Sequence, residues 1–324
     1  MDWNETPDLL ARAWAEQPVI MPGPQGELYG IFTPPAPEAP PANICVILFG
    51  RNRWWCDRLS VKSARWLASR GFSCLRFDYH GFGESAGDCG VLHGDRPFTK
   101  DALAAIRYMR HEFSQKRFIL SGFCLDGRTA LSAVKEEGKA IEAVVCNSPE
   151  VTGYQGDVVT HMITLEKIRS FFCGSTSFKK DMLLRAVRRF NNLVKLATES
   201  RPGEALAERQ ISINFKRDFQ ALVRAKTRCL FLEGRDDSQY HAFQLVEQAL
   251  LTKVSDQQRA RITVEVWPGK IHLLENPEIL RRVAERSLEW IDLCKQRPVS
   301  SSKMAILDAA PEIKMHFVLS EEPE

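Results

Sequence analysis

Phe118-Ile119-Leu120-Ser121 is a short apolar run with strand character. It passes through Gly122-Phe123-Cys124-Leu125-Asp126-Gly127 into Thr129-Ala130-Leu131-Ser132-Ala133-Val134, which reads as a helix. A strand that turns this sharply into a helix has to return to the sheet as a parallel neighbour, so the segment commits the chain to an α/β layout. The same alternation recurs along the sequence. Ile44–Phe49, Phe72–Asp78, Ile141–Cys146, Arg228–Leu232 and Ile262–Trp267 are short apolar runs of the kind that form strands buried on both faces. Helical patterns fall at 59–70, closed by Gly71, at 98–112, and from Asn276-Pro277-Glu278 to about Leu293. Strands alternating with helices predict a mostly parallel sheet flanked by helices. Ahead of this series, Pro18–Met21 and Leu28–Phe32 flank a Pro/Gly-rich turn and read as a hairpin. A proline-rich connector, Thr33–Pro41, follows it.

The series is interrupted. The spacing of Met182, Leu183, Val187, Phe190 and Val194 predicts helix within residues 151–228. We read this stretch as a helical cap inserted into a core made of 1–150 and 229–296, with a tail at 297–324. The cap holds fifteen Lys or Arg against seven Asp or Glu, a net of +8, which leaves −5 for the rest of a chain whose total is +3. Lys179, Lys180, Arg185, Arg188 and Arg189 crowd one amphipathic segment of it. An acidic partner, such as a carrier protein or the phosphates of coenzyme A, fits that charge; a solvated lid is the plainer alternative. The small total charge gives no sign of a nucleic-acid binder, and no apolar run is long enough for a membrane span. Nine cysteines, an odd number with no CxxC pair, argue for a reducing compartment and against a disulfide framework or a zinc site. Met1-Asp2-Trp3-Asn4-Glu5-Thr6 lacks the apolar stretch of a signal segment, so the expected location is cytoplasmic. No cofactor is expected. Gly81-x-Gly83-x-x-Ala86 mimics a dinucleotide fingerprint, but Gly87, Asp88 and Gly90 follow it where a helix would have to start.

Chemistry concentrates on three loops. Cys124 lies at the apex of the strand–helix turn. Leu230-Phe231-Leu232-Glu233-Gly234-Arg235-Asp236-Asp237 is a strand that ends in acid residues, and Val266-Trp267-Pro268-Gly269-Lys270-Ile271-His272 is a strand that ends in a histidine loop. All three loops fall at the carboxyl end of the sheet, where open α/β folds place their sites. Spacing favours Asp237 over Asp236, with Glu150 as a third acid. A nucleophile, an imidazole base and an orienting carboxylate make a workable set for acyl transfer. The backbone N–H groups of Leu125 and Arg51 are the expected oxyanion donors.

These residues resemble the α/β-hydrolase superfamily over roughly 17–296. Its nucleophile elbow is usually spelled G-x-S-x-G, and its triad follows the order nucleophile, acid, histidine. Asp78-Tyr79-His80-Gly81-Phe82-Gly83-Glu84-Ser85 matches the D-x-x-G-x-G-x-S loop common in serine-aminopeptidase-like and thioesterase-like branches. Together with the opening hairpin and Gly50-Arg51, that loop resembles the hydrolases associated with exosortase loci. Dienelactone hydrolases are a precedent for cysteine in the elbow. The resemblance implies a Cys124–His272–Asp237 triad acting on an ester or thioester through an acyl-cysteine. If the acceptor is an amine, alcohol or carbanion rather than water, the enzyme is an acyltransferase or cyclase; a non-catalytic binding protein is the rival reading. Two departures stand out: cysteine replaces the elbow serine, and Asp126 occupies the position normally held by a small residue.

Overall fold

The computed structural model describes residues 15–50, 53, 58–90, 92, 96–152, 211–272 and 276–295. Eight strands form one sheet in the order β1-β2-β4-β3-β5-β6-β7-β8. The opening hairpin is β1 (Gln17–Gly23) and β2 (Gly26–Thr33), turned at Pro24-Gln25. Then come β3 (Cys45–Leu48), β4 (Ser73–Phe77), β5 (Phe118–Phe123), β6 (Ile141–Asn147), β7 (Arg228–Gly234) and β8 (Ile262–Trp267). β2 runs antiparallel to both β1 and β4, and every pairing from β4 to β8 is parallel. This is the mostly parallel sheet expected from the alternation, in the α/β-hydrolase layout that the resemblance implies.

The helices follow from which strand faces they cover. α1 (Leu59–Ser69) and α7 (Pro277–Lys295) pack on one face. There Ala64, Leu67, Leu288 and Ile291 meet Val46, Cys74, Ile119, Val145 and Leu230. α2 (Thr99–Glu112), α3 (Leu125–Glu137), α4 (Ile213–Ala225) and α5 (Ser238–Ala249) cover the other face. There Ile106, Leu131, Phe219 and Phe243 meet Ile47, Leu75, Leu120, Val144 and Phe231. Alternate residues of one strand therefore serve opposite layers, as Ile119 and Leu120 do, because successive side chains point to opposite faces. A short α6 (Asp256–Arg259) precedes β8.

Thr152 and Ile211 form an antiparallel bridge, and the Ser212 amide donates to the Val151 carbonyl at 2.9 Å. The chain thus leaves the described core and re-enters it at adjacent points. α4 falls inside the 151–228 range read as a cap, yet it packs on α3, with Phe215, Phe219 and Leu222 in the core. The basic residues Lys179, Lys180, Arg185, Arg188 and Arg189, and the tail 297–324, lie outside the described residues. Among the described residues no helix is long and apolar enough to cross a membrane.

Candidate active site

Cys124 is held at φ 55° and ψ −116°, a region a side-chain-bearing residue adopts only under constraint, at about 1–3 kcal/mol. Its neighbours impose the turn. The Cys124 amide donates to the Asn147 carbonyl of β6 at 2.7 Å, and its own carbonyl accepts the Arg128 amide at 3.1 Å, opening α3. A Cβ at Gly122 would overlap the Asp126 carbonyl, and one at Gly127 would sit 3.1 Å from the Gly122 oxygen and 3.3 Å from the Cys146 Cα. Strand and helix approach this closely only because both residues are glycine. The thiol is thereby presented half-buried at the N-terminus of α3. The core cysteines contrast with it. Burial pushes the Cys45 and Cys294 thiols up to about 12 and those of Cys74 and Cys229 well above their usual value, so they are inert.

Asp126 is tolerated after the elbow because the crowding falls on Gly122 and Gly127 instead. Its side chain is buried and faces the Tyr79 hydroxyl. Burial, and then the neighbouring Asp126 carboxylate, push Tyr79 ionisation well up. The Tyr79 ring stacks on Phe98 at 4.3 Å.

The acid and the histidine are coupled through the backbone. Asp237, almost fully buried after β7, accepts the Ile271 amide at 3.1 Å and the His272 amide at 3.0 Å. It therefore fixes the loop that carries the imidazole, whereas Asp236 is exposed. The His272 ring stacks on Phe123, the residue before Cys124, with centroids 5.3 Å apart and planes 21° apart. Cys124, Phe123, Leu232 and Ile271 share one apolar cluster with Leu280 and Val283 of α7. The structure brings Cys124, His272 and Asp237 to one end of the sheet. Leu125 is the first residue of α3, so its amide lies in the unpaired first turn. Arg51 lies outside the described residues.

Two features went unread in the sequence. Asp78 follows β4, is fully buried, and accepts the Arg53 amide at 2.6 Å, the Arg53 guanidinium, and the Glu84 amide at 3.3 Å. A Cβ at Gly83 would overlap the Asp78 carboxylate, which accounts for that glycine in the D-x-x-G-x-G-x-S loop. Asp78 thus ties the loop after β3, the one that carries Arg51, to the loop after β4. The second feature is Glu233, fully buried in β7 with neither carboxylate oxygen hydrogen-bonded. Burial, and then the Asp237 charge, push its carboxyl well up. Its one signal was an acid inside an apolar strand run. Among the described residues no group of three or more His, Cys, Asp or Glu is placed to hold a metal.

Comparison with known proteins agrees with this fold. The family model described as "Serine aminopeptidase, S33" matches residues 39–274. The chain belongs to this family. Among solved structures, the chain is similar to the α/β hydrolase GrgF from Penicillium sp. sh18, with a TM-score of 0.55 at 15% identity over 87% of this chain and 98% of that one. It is also similar to the Pyrococcus furiosus esterase Pf2001, with a TM-score of 0.53 at 16% identity over 92% and 97%. At those identities the likeness is one of fold. Among curated proteins, it is 28% identical over 113 residues to the quorum-quenching protein AidA of Acinetobacter baumannii, covering 34% of this chain and 36% of AidA. It is 29% identical over 109 residues to the uncharacterized protein YfhR of Salmonella typhi, covering 33% and 36%. The match spans about a third of the length of these curated relatives. The family and fold make this a member of a hydrolase family with esterase-like structural neighbours.

Proposed function

We propose that this S33-family chain is a cysteine-dependent acyl hydrolase acting on esters or thioesters through an acyl-Cys124 intermediate. The observation that carries this reading is the constrained backbone at Cys124, which presents a thiol at a helix N-terminus in the position of the family's nucleophile. In the proposed reaction, His272 takes the thiol proton and the Cys124 sulfur attacks the carbonyl carbon. The oxyanion is received by the amides of Leu125 and Arg51. Collapse of the tetrahedral species expels the alcohol or thiol, which His272 protonates. His272 then deprotonates water for attack on the acyl-cysteine, and the acid and the thiol are released. Asp237 holds the His272 loop and favours the imidazole tautomer that the cycle needs.

Cysteine in place of the family's serine supports a second reading. A thioester intermediate reacts more readily with amines and carbanions than an oxyester does, which suits acyl transfer or cyclisation in a biosynthetic pathway. The +8 charge of residues 151–228, including Lys179, Lys180, Arg185, Arg188 and Arg189, would suit an acyl group delivered on an acidic carrier protein or on coenzyme A. A cysteine nucleophile also suits a reducing, cytoplasmic setting.

Incubation with a panel of acyl thioesters, followed by intact mass spectrometry and peptide mapping, tests the reading. The expected result is one acyl adduct, on Cys124, absent from Cys124→Ala. An adduct on another residue of Cys124→Ala, or undiminished turnover by that variant, would overturn it. Adding an amine acceptor separates transfer from hydrolysis.

A further inference from the structure

A groove of about 460 Å³ lies between the start of α2, the later turns of α3, the start of α4 and the β1–β2 turn. No residue of the Cys124, His272 and Asp237 surroundings lines it. Four cations converge on it: Arg96, Lys100, Lys135 and Arg217. None of these four is ion-paired among the described residues, in contrast with several other surface arginines. Arg110 pairs with Glu137, Arg117 with Glu142, Arg281 with Glu278 and Arg286 with Glu265.

The carboxylates of the groove do not cancel this charge. Asp218 is ion-paired to the fully buried Arg128 at 3.1 Å. Asp101 is fully buried and accepts both the His80 amide and its Nδ1, each at 2.8 Å. With Asp218 offset by Arg128, four cations face the carboxylates of Asp101 and Glu136, and the groove carries a net +2. By taking Nδ1, the buried Asp101 carboxylate leaves the Nε2 edge of the His80 ring to the groove. Like charges gathered around a concavity without counter-ions repel one another. Such an arrangement becomes favourable when a multiply charged anion fills it.

We propose that this groove binds a phosphorylated small molecule, with its phosphate or diphosphate held by Lys100, Lys135, Arg96 and Arg217 beside the His80 ring. Two excess positive charges exceed what a single carboxylate would neutralise and suit a phosphate or diphosphate. The concave volume suits a small molecule, whereas an acidic protein would need an open face. The inference does not depend on the role of Cys124, and its test is a binding measurement.

Titration calorimetry of the full chain at low salt, with inorganic pyrophosphate and with adenosine 3′,5′-bisphosphate as separate probes, reads it directly. Both should bind saturably, and raising the salt should weaken both, because exposed charges are screened beyond a Debye length of about 10 Å at 0.1 M. Tighter binding of the bisphosphate would identify the nucleotide end of a cofactor-like ligand as the source; equal or tighter binding of pyrophosphate would identify a free phosphate compound. The double variant Lys100→Glu/Arg217→Glu should bind at least about tenfold more weakly, since two charge-assisted contacts become repulsions. Lys116→Glu, an exposed change just ahead of β5, should bind as the parent does. In the unaltered chain, pyrophosphate should shift the imidazole NMR signals of His80, assigned with His80→Gln, and leave those of the exposed His111 in place. No saturable binding, equal weakening by Lys116→Glu, or an unmoved His80 signal would overturn the proposal.

Discussion

Asp78 and Glu233 close two strands of the same sheet, β4 and β7, and neither has any surface exposed to solvent. Their surroundings are opposite. Asp78 accepts two amides and a guanidinium, so its charge is met on every side available. Glu233 has no hydrogen-bond partner on either oxygen, and the Asp237 charge nearby opposes its ionisation. A carboxyl group taken out of water is either compensated or kept protonated. The first arrangement joins two loops and is costly to break. The second joins nothing, and the chain would be as stable or more stable without it.

The largest effect should come from breaking the compensated side. Asp78→Ala leaves the Arg53 guanidinium, itself mostly buried and paired to Asp78, facing an empty site. Removing one partner of such a pair should cost about 3–5 kcal/mol, read as a fall in the denaturant midpoint at unchanged slope. Exposed Glu84 also reaches Arg53, at 2.6 Å, so Glu84→Ala should cost about 1 kcal/mol or less. If the two variants were equally stable, Asp78 would not be the tie between the loops after β3 and β4.

Asp237 stands between the extremes. It is buried like Glu233 but accepts two amides, from Ile271 and His272, at 3.1 and 3.0 Å. Asp237→Ala orphans both donors and should cost about 2–3 kcal/mol. Asp237→Asn keeps one carbonyl oxygen and should recover about half of that in a denaturant titration. On an acyl substrate the order changes, because the amide cannot stabilise an imidazolium: both variants should lose orders of magnitude in kcat. Equal activity of Asp237→Asn and the parent would reduce the aspartate to a loop clamp.

These contrasts also mark what a sequence reveals. The strands were legible because each is an uninterrupted apolar run of the right length. The elbow was legible because Gly122 and Gly127 bracket a short strand–helix junction. The Asp78–Arg53 tie was not, because it joins residues 25 positions apart whose loops meet only once β3 and β4 pair. Ile213–Ala225 was read as part of the insertion because charge and helical periodicity continue through it; its burial on α3 depends on Phe215 and Phe219, which look the same in a cap or a core helix. Asp126 departs from the elbow motif in sequence, but the close approach of strand and helix falls on Gly122 and Gly127. Glu233 was visible as an acid in an apolar run, but its lack of partners is a property of the packed interior.

The smallest effect lies at Glu233, and its sign is the informative part. Its carboxyl is pushed well above the ordinary value of 4.5, chiefly by burial. The unfolded chain releases this proton near the ordinary value, whereas the folded chain keeps it to higher pH. Between those two points the native state holds more protons than the unfolded one, so this group's contribution falls as pH rises. Glu233→Gln removes the titration while keeping the shape. The variant should match the parent near pH 4 and gain steadily above it through neutral pH, since it has no carboxyl proton to lose in the unfolded chain. Thermal or denaturant unfolding of the two proteins across that range measures the difference directly. Had Glu233 a hidden counter-charge, its ionised form would be the stabilised one. The variant would then be less stable at neutral pH, and Glu233 would join Asp78 on the compensated side.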